Sequence, residues 1–252
     1  MDFTQKIYKE LLESLKDSGY TFQTFEQFVQ NPGKKVVVLR HDVDKLPQNG
    51  LDLAKIEHSL GLQASYYYRI VKESNQPRLI EAVRDLGHEI GYHYEDLTLA
   101  KGDKKKAIDR WEKNLAYFRR FYPVTTACMH GSPMSKWDNR LIWEDYNYKD
   151  YGIIAEPYFD IDYHDVFYIT DTGRSWNSTG VSVRDKVDSG FHIEVESTPH
   201  FISLAKAGKL PPKIIINTHP QRWFDPGFGW FRELVLQNLK NQVKRLIVQR
   251  NG

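Results

Sequence analysis

The sequence has little cysteine, no long apolar run and no surplus of charge. Its single cysteine, Cys128, excludes an internal disulfide and any zinc site built from several cysteines. No stretch approaches the roughly 18 apolar residues of a transmembrane helix, and residues 1–16 lack the uninterrupted apolar stretch of a signal peptide. A formal net charge of +2 gives no reason to expect a nucleic-acid partner. We therefore expect a cytoplasmic protein with no membrane span.

Short apolar runs alternate with amphipathic stretches along most of the 252 residues. The runs predict seven strands, near residues 36–44, 64–69, 88–93, 125–130, 151–155, 166–170 and 213–218. Strands that alternate with helices favour a parallel sheet of the α/β class. No repeat, linker or low-complexity segment divides the sequence, so we predict a single domain over residues 1–252, built as a barrel or a partial barrel.

Two aspartates follow the first long apolar run. Asp42 and Asp44 are two residues apart, so on a strand both carboxylates lie on one face, about 6 to 7 Å apart. Aspartates in this position often cap a turn. As a functional pair, both would bind one cation, or one would bind it while the other accepts a proton.

Further acidic and histidine residues end other predicted strands. His93, His130, Asp171 and His219 each stand where an apolar run stops. The carboxyl ends of parallel strands in an α/β barrel meet at one mouth, where such folds keep their active sites. Oxygen and nitrogen ligands of this kind suit a borderline cation such as Zn²⁺. The sequence therefore predicts a site for one divalent metal ion at the barrel mouth.

Residues 171–176 place an acid, a base and an aromatic ring on one predicted loop at the mouth. Asp171, Arg174 and Trp176 together form a set suited to contacting a sugar, although Asp171 can also serve to cap the turn that follows it. Two other histidines are predicted to be structural. His88 is five residues from His93 and therefore faces the other side of its strand. His41 lies between Arg40 and Asp42 and therefore points to the opposite face from both.

Three of these stretches resemble motifs of the polysaccharide deacetylase superfamily. Residues 87–93 read Gly-His-Glu-Ile-Gly-Tyr-His, similar to the second motif of that superfamily. Residues 40–44 resemble an Asp-x-Asp variant of its first motif, and residues 216–219 resemble its late histidine-bearing strand. The resemblance implies an incomplete (β/α) barrel of about seven parallel strands that removes N-acetyl groups from sugars with one divalent metal ion.

Residue by residue, the resemblance implies that Asp42 is the general base and His219 the general acid, with Asp44 and His93 as metal ligands. The superfamily has a second metal-binding histidine four residues after the first, where this sequence has Leu97. The missing ligand is then His130, at the next strand end, or Glu95, which shares a face with His93 if the strand continues. We favour His130, because a neighbouring strand end needs no particular loop geometry.

The third motif is also replaced, by Met-His-Gly-Ser-Pro at residues 129–133 instead of an arginine-containing sequence. The expected function is metal-dependent N-deacetylation of a sugar or glycan precursor. Two alternatives stay open: hydrolysis of another C–N bond on the same scaffold, and a carbohydrate-binding relative that has lost catalysis.

Overall fold

The computed structural model describes residues 1–132, 134–176 and 187–250, with side chains as far as residue 242. A parallel sheet lies at its centre, with seven strands within the described residues. They are β1 (Thr21–Gln23), β2 (Val36–Val43), β3 (Ser65–Tyr68), β4 (Glu89–Tyr94), β5 (Ala127–Met129), β6 (Phe167–Thr170) and β7 (Lys213–Thr218).

Helices connect and cover these strands. They are α1 (Gln5–Asp17), α2 (Phe25–Gln30), α3 (Pro47–Ser59), α4 (Pro77–Asp85), α5 (Asp96–Leu99), α6 (Lys104–Phe118), α7 (Pro157–Asp160), α8 (Thr198–Lys206) and α9 (Phe228–Arg250). Short 3₁₀ helices span Asn139–Glu144, Tyr148–Tyr151 and Pro220–Arg222. Within the described ranges, no helix has the length and apolar character needed to cross a membrane.

The strands lie in the order β5-β4-β3-β2-β7-β6, and β1 pairs with the first part of β2. Every pairing is parallel. Beyond β5 the pairing ends in an isolated bridge between Thr126 and Ala155, and no pair among the described residues joins it to β6. The predicted fold class, an incomplete barrel of parallel strands, is confirmed.

Strand β2 is buried along its whole length because the sheet is covered on both faces. Val36 and Val38 face the barrel interior and pack with Phe25, Phe28 and Ile215, which fill its lower half. The alternate residues of β2 face the outer helices, and a larger apolar core lies there. The apolar filling holds the strands in register and leaves the upper interior to polar side chains.

One predicted strand is absent from the structure. The strand predicted at residues 151–155 is wrong, because the chain forms the 3₁₀ helix Tyr148–Tyr151 and then only the bridge at Ala155.

The structure explains one glycine of the motif at residues 87–93. Gly91 lies against the ring of Tyr67, and an added Cβ would overlap that ring. Glycine is thus needed where β4 passes the tyrosine that fills the interior.

Candidate metal centre

Four strand ends bring five acidic or histidine side chains together at the barrel mouth. Asp42 lies in β2 and Asp44 just beyond it, His93 lies in β4, and His130 and His219 directly follow β5 and β7. Three of these residues, Asp44, His93 and His130, place one possible ligand atom each within 4.8 Å of the others. The predicted mouth site therefore brings all five together, although they are distant in sequence.

One carboxylate oxygen lies at the centre of this group. Asp44 Oδ1 is 3.5 Å from His93 Nε2 and 3.4 Å from His130 Nε2. It is buried and has no hydrogen-bond partner among the described residues. Burial would raise the pKa of Asp44, but the charge of His130, the contact with His93 and the charge of His219 hold it well below its usual range. An ionised oxygen without a donor, beside two imidazole nitrogens, forms a donor set suited to a divalent cation.

Each histidine at the mouth is held through its Nδ1 atom. His93 Nδ1 lies 2.9 Å from the carbonyl oxygen of Cys128, which can only accept, so His93 carries its proton there. His130 Nδ1 lies 3.1 Å from Glu95 Oε2, and His219 Nδ1 lies 2.6 Å from Asp171 Oδ1. These contacts fix the rings with Nε2 towards Asp44, as second-shell groups do around metal-binding histidines.

Glu95, the alternative third ligand, is engaged elsewhere. Arg69 donates two hydrogen bonds to its carboxylate, at 2.7 and 2.8 Å, and a third to the carbonyl of Asp44 at 3.2 Å. Burial would raise the pKa of Glu95, but His130 and Arg69 lower it. The geometry thus places Glu95 behind His130, where it orients the ring. Leu97 lies in α5, buried in the outer core, and offers no ligand.

Asp42 is held by the strand that carries it. Arg40, two residues earlier on the same face, donates to both carboxylate oxygens at 3.1 and 2.8 Å, and Asn217 Nδ2 donates to Oδ2 at 3.0 Å. Burial would raise the pKa of Asp42, yet Arg40, His93 and His219 lower it to about 2. Sequence reasoning missed this contact, although the spacing of two residues on a strand would have revealed it.

Asp171 holds His219 in place through hydrogen bonds. It is fully buried, and its two oxygens accept hydrogen bonds from the backbone and Nδ1 of His219, from Arg222 Nη1 at 2.6 Å and from Trp223 Nε1 at 2.8 Å. Burial would raise the pKa of Asp171, but Arg222 and His219 lower it. Asp171 therefore exposes no surface through which it could make the predicted sugar contact.

The other two predicted sugar contacts also lie away from the metal group. Trp176 is 4% exposed, and its Nε1 donates to Thr198 Oγ1 in the outer core. Arg174 bonds the backbone of Trp230 and Asp2, and its guanidinium lies 4.7 Å from the ring centroid of Trp230. Trp176 is therefore packed in the core, whereas Arg174 is half-buried. Burial argues against a sugar contact of Trp176, and a sugar contact of Arg174 stays a prediction.

Gln221 is a further residue that the sequence did not reveal. It lies in the 3₁₀ helix after His219, is buried, and donates from Nε2 to Asp44 Oδ2 at 3.1 Å. Thus one oxygen of Asp44 is bonded and the other faces the histidines. Of the replaced third motif, Pro133 lies outside the described residues.

A cavity of about 520 Å³ opens beside His130. Its lining combines an aromatic ring, hydroxyl groups and cations: Arg69, Thr98, Ser135, Lys136 and Trp137 among others. The volume lies in the range of small-molecule sites, and the lining suits a polyhydroxylated ligand. The metal group therefore adjoins space for a substrate.

Comparison with known proteins finds distant structural likenesses. No protein-family profile matches the sequence, and no curated protein is significantly similar to it. A CE4 family pseudoenzyme from Bacillus anthracis aligns at 16% identity and a TM-score of 0.46, over 84% of this chain and 62% of the other. The Xyl-CE4 domain of a multidomain xylanase from the hindgut metagenome of Trinervitermes trinervoides aligns at 15% identity and a TM-score of 0.39, over 83% and 85%. The function is therefore inferred from the residues of the mouth.

Proposed function

We propose that this protein is a divalent-metal-dependent hydrolase that removes the N-acetyl group from a sugar or glycan precursor. The observation that carries the proposal is the group of Asp44, His93 and His130, with Asp42 on one side and His219 on the other. A metal site flanked by a carboxylate and a histidine is the arrangement that amide hydrolysis needs, because water must lose a proton and the amine must gain one.

The residues present fit a divalent cation such as Zn²⁺. Asp44 Oδ1 lacks a hydrogen-bond donor among the described residues, and two imidazole nitrogens whose other ring atoms are tethered face it. A bound cation would polarise the acetyl carbonyl and lower the pKa of a water molecule. Asp44, His93 and His130 would hold it, and Gln221 would keep the carboxylate of Asp44 in position.

Asp42 is assigned as the general base. With its pKa held at about 2, it is ionised at neutral pH and can accept a proton from water. Arg40 and Asn217 fix the carboxylate in place, and Arg40 compensates its charge in the buried interior. Asp42 Oδ2 lies 3.9 Å from His93 Nε2, so the base lies beside the metal group.

His219 is assigned as the general acid. Its Nε2 faces the mouth, 4.0 Å from Asp44 Oδ2, while Nδ1 is bonded to Asp171. The contact of Nδ1 with the Asp171 carboxylate orients the ring, so that Nε2 is the atom from which a proton would pass to the leaving amine. Arg222 and Trp223 hold Asp171 in the orientation that this role needs.

The cavity beside His130 supports the proposal that the acetyl group is carried by a sugar. Trp137 offers an apolar surface, and hydroxyl and charged groups surround it. The acetamide would reach the metal group while the ring occupies the cavity. We propose a soluble glycan precursor as the substrate, in keeping with the cytoplasmic location expected from the sequence.

Metal analysis of the purified protein, followed by an acetate-release screen over N-acetyl sugars, tests the proposal. We expect close to one divalent ion per chain, and loss of that ion in Asp44→Ala and in His93→Ala with the fold retained. His164→Ala is the matched control, because that histidine is 63% exposed and should leave the metal content unchanged.

Three outcomes separate the possibilities. Full metal occupancy in both ligand variants would contradict the site. A protein that binds metal but releases no acetate from any sugar would point to another C–N bond. A protein that binds sugars without retaining metal would be a carbohydrate-binding relative.

A further inference from the structure

Helix α9 turns both polar and apolar side chains inward. A surface helix normally turns its apolar stripe inward and its polar stripe to solvent. In α9 the buried or half-buried side chains Trp230, Glu233, Leu234, Gln237 and Asn241 recur at helical spacing, and three of these five are polar. Polar groups thus take up much of the inward face, and further large apolar residues lie on the opposite side.

The outward face of α9 is an exposed apolar stripe. Of the eleven large apolar side chains that are exposed in the described part of the chain, five belong to this helix: Phe228, Phe231, Val235, Leu236 and Leu239, between 38% and 81% exposed. Phe228, Phe231, Val235 and Leu239 follow the spacing i, i+3, i+7, i+11, so they lie along one side. A contiguous apolar stripe of this kind marks an interaction surface.

The charge of α9 indicates what covers this stripe. Residues 228–250 contain five basic residues, Arg232, Lys240, Lys244, Arg245 and Arg250, against one acidic residue, Glu233. The helix therefore carries a net charge of +4 in a chain whose total is +2. Its one acid is buried and paired with Lys45 at 3.6 Å. Two such helices would repel each other, whereas an anionic surface would attract them.

We propose that α9 is an interfacial helix that docks the protein on an anionic lipid surface. Basic residues with an exposed stripe rich in phenylalanine and leucine are typical of helices that lie in the plane of a membrane interface. The apolar side chains enter the boundary between headgroups and acyl chains, and the basic ones attract the acidic headgroups. This docking depends neither on the metal nor on the proposed hydrolysis.

The docked orientation follows from the contacts of α9. Lys45, next to Asp44, contacts Glu233, and Asn241 Nδ2 donates to the carbonyl of Gly173 in the loop after β6. Both contacts lie at the carboxyl ends of the strands, so α9 borders the barrel mouth. Docking through its outward face holds the metal group close to the lipid surface.

Co-sedimentation of the full-length protein with vesicles tests this inference. We expect binding to phosphatidylcholine vesicles containing about one third phosphatidylserine to exceed binding to pure phosphatidylcholine about tenfold or more, and to weaken with added salt. The triple variant Phe228→Ser, Phe231→Ser, Leu239→Ser should lose about tenfold or more of this binding. Arg232→Gln with Lys240→Gln should weaken binding to the anionic vesicles selectively.

The matched control is Leu141→Ser, Ile154→Ser, Phe159→Ser, which removes three exposed apolar side chains elsewhere and should bind as the wild type does. Circular dichroism checks the fold of every variant. Wild-type protein that ignores anionic vesicles would overturn the inference, as would a triple α9 variant that binds them undiminished. A wild-type dimer that the triple α9 variant converts to a monomer, without vesicle binding, would assign the stripe to a second copy instead.

Discussion

A cluster of histidine and carboxylate groups lies on each side of strand β2, and the two clusters differ in how many of their polar atoms have a hydrogen-bond partner. On the outer face Glu57 accepts from Tyr8 at 2.5 Å and Tyr66 at 2.7 Å and lies 2.7 Å from His41 Nε2, while His41 Nδ1 lies 2.5 Å from Thr218. His41 and Glu57 are 0% exposed. We call this group the outer cluster.

The mouth cluster uses the same residue types with a different outcome. Asp44 Oδ1 has no donor among the described residues, Asp44 is 22% exposed at its side chain, and the Nε2 atoms of His93 and His130 stop 3.4 to 3.5 Å away. A buried cluster whose polar atoms all have hydrogen-bond partners serves to hold elements of secondary structure together. A cluster with solvent access and a polar atom that lacks a hydrogen-bond partner can still bind a ligand, which marks the mouth cluster as the candidate site.

The largest expected effect is on turnover. Asp42→Asn keeps the shape and an acceptor oxygen but removes the base, so the rate should fall about 10²- to 10⁴-fold while metal stays bound. Acetate release and metal content measure the two effects separately. Asp165→Asn, on an exposed side chain, is the control. If metal leaves together with activity, Asp42 is a ligand instead.

The next effect is on stability and distinguishes the two faces of β2. Glu57→Ala removes the buried carboxylate that accepts from Tyr8 and Tyr66 and contacts His41 Nε2, and should lower the free energy of unfolding by about 3–5 kcal/mol. Asp44→Ala removes a less engaged, partly exposed group and should cost about 1 kcal/mol. Urea unfolding of metal-free protein measures both. A larger cost for Asp44 than for Glu57 would reverse our reading of the two clusters.

The third effect concerns the leaving group. His219→Ala should slow amide cleavage about 10²-fold more than cleavage of an O-acetyl ester, because an alkoxide departs with less help from a proton donor than an amine does. Paired rates on an N-acetyl and an O-acetyl sugar provide the measurement. Equal losses on both substrates would mean that His219 binds the metal or positions the acetyl group.

The smallest effect concerns the residue behind His130. Glu95→Ala should weaken metal affinity about 10- to 100-fold by freeing the imidazole, without abolishing binding. Glu95→Gln keeps an acceptor oxygen and should lose less. Competition with a chelator measures both affinities. Complete loss of metal in Glu95→Gln would make Glu95 a ligand, and an unchanged affinity in Glu95→Ala would remove its supporting role.

The sequence predicted the parallel sheet and the strand ends that meet at the mouth, because both depend on apolar periodicity and on chain order. The outward direction of His41 and His88 was also predictable from alternation along a strand, and both bond to groups outside the barrel. Residue type and local spacing are sufficient for such predictions.

What the sequence did not reveal depends on how loops return to the core. The loop at residues 171–176 was predicted to contact a sugar, but tertiary packing buries Trp176 and turns Asp171 towards His219. The role of Gln221 depends on a contact across 177 residues of chain. Only the folded structure fixes such long-range partners.

The position of β7 has a consequence for folding. This strand lies between β2 and β6, and its Asn217 bonds Asp42, 175 residues earlier in the chain. Until β7 has been synthesised, one edge of the apolar segment Val36–Leu39 has no partner, and an unpaired edge of this kind can pair with another chain. The insertion of β7 completes the sheet and assembles the mouth in the same step. During synthesis this edge should therefore stay open to pairing with another chain until that strand emerges.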